Sequence, residues 1–280
     1  MKESKKEVFI TSTIVLYNND IEVVQKAINS FLDTSIKVEL FLIDNSPSDS
    51  LKKLVNDHRI NYFHNPSNPG FGAGHNIAIK KAILSKSDYH LILNPDVYFD
   101  KGVIESLLDY SQSDSSIGIV MPKVLYPNGN IQYTCKLLPT PIDLFVRRFI
   151  PFDKIKQKMD YRYEVKFSGY DKIMDIPFLS GCFMFCKTSV LEEFGGFDEA
   201  FFMYYEDLDL TRRVHGKYKT MFYPKVHVYH IFERASYKNK LLLKKHIKSV
   251  FTYFNKWGWF FDFDRIKINK RVIKNIKEIG

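Results

Sequence analysis

Strand-like and helix-like stretches alternate from Val8 to Val120, and this order constrains the fold more than any other feature of the chain. Val8–Leu16, Val38–Ile43, Tyr62–Phe63, His90–Leu93 and Ile117–Val120 are apolar or β-branched runs. Between them, Ile21–Leu32, Ser50–Val55, Gly74–Leu84 and Val103–Tyr110 carry apolar residues three and four apart. In the first of these, Ile21, Val24, Ile28 and Phe31 share a face, and Asp20 stands at the N-cap position. Strands and helices in this order, with short connections, predict an α/β fold: a Rossmann-like, mostly parallel central sheet flanked by helices. Ligands of such sheets bind beyond the carboxyl ends of the strands. The polar residues that end each strand therefore carry the functional information.

Downstream the rhythm breaks. Tyr126–Asp175 is rich in Pro, Gly, aromatic and basic residues and is expected to be a variable loop region with some helix around Ile142–Phe149. Regular patterns return at Ile176–Cys186, followed by helices at Ser189–Phe194 and Glu206–His215 and strand-like runs at Tyr218–Tyr223 and Val226–His230. With 280 residues, 45% of them hydrophobic, the chain suits one large domain and a C-terminal extension. The expected division is a main domain over 1–236, in two halves (1–120 and 121–236), then an extension over 237–280.

Four strand ends bear unusual residues. The first is Leu16-Tyr17-Asn18 and the second Asp44-Asn45-Ser46. A ring and a carboxylate at neighbouring strand ends can hold a nucleobase by stacking and by accepting from its imide N–H, although Asp and Asn also end strands as ordinary turn formers. The third is Asn68-Pro69-Gly70-Phe71-Gly72-Ala73-Gly74-His75-Asn76. Its glycines let backbone approach a ligand at a helix N-terminus, but the spacing is not that of the dinucleotide fingerprint. The fourth is Asn94-Pro95-Asp96, which is either a simple turn or a pair of oxygen ligands for a hard divalent cation. Further on, Glu206, Asp207 and Asp209 open a helix behind the aromatic run Phe201-Phe202-Met203-Tyr204-Tyr205. Acidic residues suit a helix N-terminus, and an aromatic wall also keeps a carboxylate dry enough to accept a proton.

Together with Phe178-Leu179-Ser180-Gly181-Cys182-Phe183-Met184 and Gly195-Gly196-Phe197-Asp198-Glu199, these segments resemble, in order, the inverting family 2 glycosyltransferases of the GT-A fold. The nearest resemblance is to the rhamnosyltransferase-like branch, and it covers roughly Val8 to Ser236, which implies that 1–236 is the catalytic domain, 1–120 its nucleotide-sugar-binding half and 121–236 its acceptor and catalytic half. It implies a nucleotide diphospho-sugar donor, held by Leu16, Tyr17, Asn18, Asp44, Asn45, Asn68, Gly70, Phe71, Gly72, Asn76, Asn94 and Glu206. It further implies Mg²⁺ or Mn²⁺ on Asp96 and His230, with His227 as the rival ligand, and Asp207 as general base. The family's widespread Asp-x-Asp metal motif begins here with Asn94, which implies a looser site completed by the donor's phosphates.

Charge is unevenly distributed. Residues 217–280 carry sixteen Lys or Arg against four Asp or Glu, so the rest of the chain is slightly acidic although the net charge is +9. Leu243, Ile247, Val250, Phe254 and Trp257 form a helical stripe, with Lys240, Lys244, Lys245, Lys248 and Lys256 off it and Trp259, Phe260, Phe261 and Phe263 following. Such a basic amphipathic segment either docks on an anionic membrane surface or packs on the catalytic domain. No run of 18 apolar residues and no signal-peptide pattern is present. Cys135, Cys182 and Cys186 read as reduced thiols, and Cys182 and Cys186, set in an apolar run, as buried structural ones. The expected location is cytoplasmic, peripheral to the inner face of the cell membrane, with a glycan or lipid-linked glycan acceptor. Two rivals are a nucleotidyltransferase, which would want a basic phosphate cluster near the first strand, and a non-catalytic sugar-nucleotide or glycan-binding protein. No nucleic-acid motif accompanies the basic tail, which excludes nucleic acid as a partner.

Overall fold

Phe9–Leu16 forms strand β1, buried along nearly its whole length, as expected of a strand covered on both faces. Its polar residues are satisfied internally: Thr11 and Thr13 hydrogen-bond the two ring nitrogens of His90 at 2.8 and 2.7 Å. Burial lowers the His90 pKa to about 3, so the ring is neutral and serves as strand-to-strand glue. Helix α1 (Ile21–Leu32) follows, and Asp20 caps it by accepting from the N–H groups of Glu22 and Val23.

The computed structural model describes residues 7–146, 152–231 and 240–279. After α1 come β2 (Lys37–Asp44), a 3₁₀ turn (Ser50–Leu54), β3 (Ile60–His64), helix α2 (Phe71–Leu84), β4 (Tyr89–Leu93), β5 (Val97–Tyr98), α3 (Val103–Ser113) and β6 (Ile117–Leu125). The second half adds β7 (Cys135–Lys136), α4 (Asp153–Tyr163), β8 (Met174–Asp175), β9 (Phe178–Leu179), β10 (Phe183–Lys187), α5 (Thr188–Phe194), α6 (Glu206–His215) and β11 (Lys219–His230). Helices α7 (Lys240–Trp257) and α8 (Phe263–Ile279) complete it. Among the described residues, nine strands form one sheet in the order β3-β2-β1-β4-β10-β6-β11-β5, with β8 alongside β11, and β7 and β9 form a separate pair. The first four strands are parallel, β10 runs antiparallel between β4 and β6, and β6 and β11 are again parallel.

Some boundaries differ from the sequence reading. Helix α2 begins at Phe71 rather than Gly74, because its glycine-rich first turn is stabilised by packing on the segment around Phe197 and Phe202. Tyr218–Tyr223 and Val226–His230 join into one strand that absorbs Pro224 in a register shift between Tyr223 and His227. The expected helix at Ile142–Phe149 is a wide turn over Ile142–Val146, and its remainder lies outside the described residues. Helix α4 occupies part of the stretch expected to be loop. The expected domain boundary at 236 also falls outside the described residues.

The C-terminal stripe packs inward. Val250, Tyr253 and Phe254 of α7 are buried in the main core. Arg212 of α6 reaches the tail with a bidentate pair to Asp262 (2.8 Å each), a bond to the Tyr253 hydroxyl at 2.9 Å, and its guanidinium 4.0 Å from the Trp257 ring centre. No helix among the described residues is long and apolar enough to cross a membrane.

Candidate active site

Parallel pairing brings the strand ends together. Leu16 lies opposite Asp44 in the β1–β2 register, and Ile14 opposite Leu93 in β1–β4, so the residues after each strand share one edge of the sheet. Leu16 is buried, and its carbonyl accepts from the Asn45 N–H at 2.9 Å. Asn18 takes a left-handed conformation (φ 51°) and donates its N–H to Ser46 Oγ at 2.8 Å. This turn leaves Tyr17 projecting outward, 53% exposed and available for stacking.

Asp44 is fully buried, and both oxygens are engaged: Oδ2 accepts from the Tyr62 hydroxyl at 2.6 Å and Oδ1 from the Ser46 N–H at 2.9 Å. Burial first, and then the Asp44 carboxylate, push the Tyr62 hydroxyl pKa well above its usual value, so it stays a donor. Asn45 is buried between Asn65, from which its Oδ1 accepts at 3.2 Å, and the Gly70 carbonyl, to which its Nδ2 donates at 3.4 Å. Tyr62 and Asn65 were not singled out as site residues in the sequence; β3 pairing with β2 is what delivers them.

The glycine-rich turn packs closely on the protein's own chain. At Gly70 (φ 110°) an added Cβ would sit 2.1 Å from the Phe202 carbonyl oxygen, and the Phe71 N–H donates to that oxygen at 2.9 Å. At Gly72 a Cβ would meet Phe197 Cβ at 2.9 Å. The missing side chains thus admit the loop before α6. Asn76 works the same way. Its Oδ1 accepts from the Phe197 N–H at 2.9 Å, and its Nδ2 donates to the Phe197 carbonyl at 2.9 Å and to Glu199 at 3.0 Å. The Phe71 ring packs edge-on against His75. Asn68 adopts a left-handed turn (φ 44°) just ahead of this helix and donates its N–H to the Asn65 carbonyl.

The fourth strand end gathers the expected metal ligands. The Asn94 N–H donates to the Cys182 carbonyl at 2.9 Å, and the Ile231 N–H donates to the Asp96 carbonyl at 2.9 Å. The β5–β11 pairing sets His230 opposite Val97, with its Nε2 3.3 Å from Asp96 Oδ1. Asn94 Oδ1 is buried and accepts no hydrogen bond, and the buried Asp96 Oδ1 faces His230 Nε2. Gln132 fixes the imidazole: its Nε2 donates to the His230 carbonyl at 2.7 Å, so its Oε1, 3.0 Å from His230 Nδ1, accepts from that nitrogen. In the neutral ring this tautomer leaves the Nε2 lone pair facing Asp96. Burial opposes protonation of His230, but Asp96 and the Cys182 thiol outweigh it and raise the pKa to about 10. His227, by contrast, is exposed and lies 3.2 Å from the Tyr229 hydroxyl.

Among the described residues no three His, Cys, Asp or Glu side chains form a complete metal cage. The unpartnered Asn94 Oδ1, together with Asp96 Oδ1 and the His230 Nε2 that faces it, nevertheless fits a divalent ion that takes its remaining ligands from elsewhere.

Asp207 lies at the start of α6. Its Oδ2 accepts from the Gly181 N–H and its Oδ1 from the Leu208 N–H, both at 2.8 Å. Burial raises the Asp207 carboxyl pKa, held back by the Gly181 N–H and by Lys136. Glu206 beside it is buried with Oε2 unpartnered, and its pKa is raised well above the usual value, first by burial and then by the Asp207 charge. Two consecutive left-handed residues, Tyr204 (φ 70°) and Tyr205 (φ 68°), turn the chain into this helix. Helix α7 holds that turn: Ser249 Oγ donates to the Met203 carbonyl at 2.8 Å, and the Tyr205 hydroxyl lies 2.9 Å from His246 Nε2. Strain of this kind persists only where surrounding contacts enforce it.

The description Glycosyl transferase family 2 matches residues 12–195. The chain is 27% identical over 177 residues to a low-salt glycan biosynthesis hexosyltransferase of Haloferax volcanii, an alignment covering 62% of this chain and 52% of that protein. It is 26% identical over 215 residues to an N-acetylglucosaminyl-diphospho-decaprenol L-rhamnosyltransferase of Mycobacterium tuberculosis, covering 71% of this chain and 68% of that one. It is also 26% identical to the rhamnosyltransferase WbbL of Escherichia coli, covering 66% of this chain and 69% of that one. Among solved structures, S. aureus TarS superposes with a TM-score of 0.54 at 16% identity, over 80% of this chain and 36% of that one. GalNAc-T7 with UDP, GalNAc and Mn²⁺ superposes with a TM-score of 0.61, also at 16% identity, over 87% of this chain and 48% of that one. These two structures share the GT-A fold with this chain. With the family's pattern running through the strand ends that form the site, the chain belongs to glycosyl transferase family 2.

Proposed function

We propose that the chain transfers a hexosyl or deoxyhexosyl unit, with inversion, from a dTDP- or UDP-linked sugar to a glycan acceptor. The observation that carries this reading is the bridge between the two halves of the site. Asp207 accepts from Gly181, and the next residue, Cys182, accepts from Asn94, which begins the Asn94-Pro95-Asp96 turn. A carboxylate suited to receive a proton therefore stands beside a group suited to a diphosphate and its cation, within reach of one substrate pair.

In this mechanism Tyr17 stacks on the base while Asp44 and Asn45, held by Tyr62 and Asn65, shape the wall beneath it. Asp207 takes the acceptor hydroxyl's proton as that oxygen attacks the anomeric carbon from the face opposite the diphosphate. The raised carboxyl pKa makes it a better base than an ordinary surface aspartate. Asp96 and His230 would hold Mg²⁺ or Mn²⁺ with the donor's phosphates, and such an ion neutralises charge growing on the leaving diphosphate. The diphospho-decaprenol in one relative's name supports a lipid-linked acceptor. We extend this to the assembly of a bacterial cell-surface polysaccharide such as O-antigen or capsule, with the chain peripheral to the inner face of the cell membrane.

Calorimetric titration of a nucleotide diphospho-sugar panel in the presence of Mn²⁺, for wild type, Asp96→Ala and His230→Ala, tests the donor half. Acceptor-dependent release of nucleotide diphosphate tests the reaction. A donor that binds wild type should bind both variants about tenfold or more weakly at low Mn²⁺. Equal affinities in all three proteins would remove Asp96 and His230 from the donor site.

A further inference from the structure

We infer that the turn between α7 and α8 is a wedge that inserts aromatic rings into an anionic bilayer surface. This rests on the reading that the chain works at a membrane, and it assigns that contact to particular residues. Phe260, Phe261 and Phe263 are 73%, 86% and 77% exposed, three large rings within four consecutive positions. Isolated apolar residues are ordinary on a surface, whereas a cluster of this kind marks an interaction site.

The fourth position explains why the rings face outward. Asp262 is buried and receives both Arg212 guanidinium nitrogens at 2.8 Å and the Arg265 N–H at 2.9 Å. Arg265 also donates to the Trp259 and Phe260 carbonyls, at 3.4 and 3.5 Å. Gly258 (φ 97°) supplies the left-handed step that ends α7. The backbone is thus fastened from inside, and the rings cannot fold back into the core without breaking the Asp262 pairing. Insertion then costs little further ordering of the turn.

The surroundings select the partner. Phe251 of α7 is also exposed and packs its ring on Trp259 (5.2 Å between centres), extending the apolar patch along the helix. Lys244, Ile247, Lys248 and Phe251 fall on one exposed arc of α7. Residues 240–279 carry eleven Lys or Arg against three Asp or Glu. Of those acids Asp262 is internally paired and Glu278 lies 3.6 Å from Lys274, leaving Asp264 as the exposed carboxylate beside the wedge. Exposed rings at the end of a lysine-rich helix pair match an anionic lipid surface, with the rings below the headgroups and the exposed lysines of α7 toward the phosphates. A second copy of the chain would bring like charges together.

The test is cosedimentation of the full chain with vesicles of phosphatidylcholine, with and without phosphatidylglycerol. Wild type is expected to bind the anionic vesicles, and F260S/F261S/F263S to bind about tenfold or more weakly while keeping its melting temperature. Phe261→Trp keeps an aromatic ring, so it should bind, and its emission should be quenched by brominated lipid. Equal binding of wild type and the triple variant overturns the wedge, as does failure of wild type to bind, or a triple variant whose only change is from dimer to monomer. Nucleotide diphosphate release onto a soluble acceptor, assayed in parallel, separates the two readings. If release is absent in wild type, the transferase reading fails while the vesicle result stands.

Discussion

The Gly181 backbone N–H donates to Asp207 Oδ2 at 2.8 Å, and this one bond joins helix α6 to the approach of strand β10. A Cβ on residue 181 would lie 3.0 Å from Asp207 Cβ, so the approach also depends on the glycine. The carboxylate is therefore fixed by the sheet and not only by its own helix. Four predictions follow from this site and its supports.

Asp207→Asn is expected to lower transfer by about 10²–10⁴-fold, the usual loss on removing a general base. It should also cost about 1 kcal/mol in stability, because both carboxylate oxygens accept N–H groups and an amide offers only one acceptor oxygen. Turnover and thermal melting of the purified variant measure both. Near wild-type turnover would remove Asp207 from the role of base.

Glu206 ties stability to pH. Its folded carboxyl pKa lies above the ordinary 4.5, so the folded state binds the proton more tightly than the unfolded chain does. The stability this contributes is complete below about 4.5 and is lost as the pH climbs through the raised value. Glu206→Gln removes the titration. The variant should gain melting temperature relative to wild type between pH 5 and pH 8, and a difference independent of pH would contradict a proton-retaining Glu206.

Asp262→Ala should destabilise the fold by about 3–5 kcal/mol, since Arg212 would be left charged in a buried setting. Urea denaturation reads this directly. A loss below about 1 kcal/mol would mean that Arg212 finds sufficient compensation at Tyr253 and Trp257.

Gly70→Ala should cost about 3 kcal/mol, combining an unfavourable positive φ with a Cβ driven into the Phe202 carbonyl. Thermal denaturation compared with Ala73→Gly, a change in the same helical turn, provides the control. A melting temperature equal to wild type would show that the Phe202 loop yields without penalty.

Local signals in the sequence identified most of the first half of the fold. The 3.6-residue spacing and Asp20 give α1, and β-branched runs give β1 and β2, because these elements are decided by residues close in sequence. Long-range facts were not legible in that way. The antiparallel insertion of β10 between β4 and β6 depends on tertiary pairing, and nothing within Phe183–Lys187 encodes its direction. Helix α4 has little apolar periodicity, since only Tyr163 of its residues is buried. The glycines of 70–74 correctly marked close approach, but the approaching group is the protein's own loop at Phe197 and Phe202. Inward packing of the tail was one of two alternatives in the sequence and could not be decided there, because its anchor is a contact between Arg212 and Asp262, fifty residues apart.

Helix α7 grips the Met203–Tyr205 turn through Ser249 and His246, immediately before the carboxylates of α6. The C-terminal extension consequently cannot be exchanged as an interchangeable address label. A chimera that borrows the front of this chain and the tail of a relative would inherit a mismatched bracket behind its acidic pair. Recombination points intended to alter sugar preference belong inside the sheet's surface loops, with α6 and α7 transplanted together.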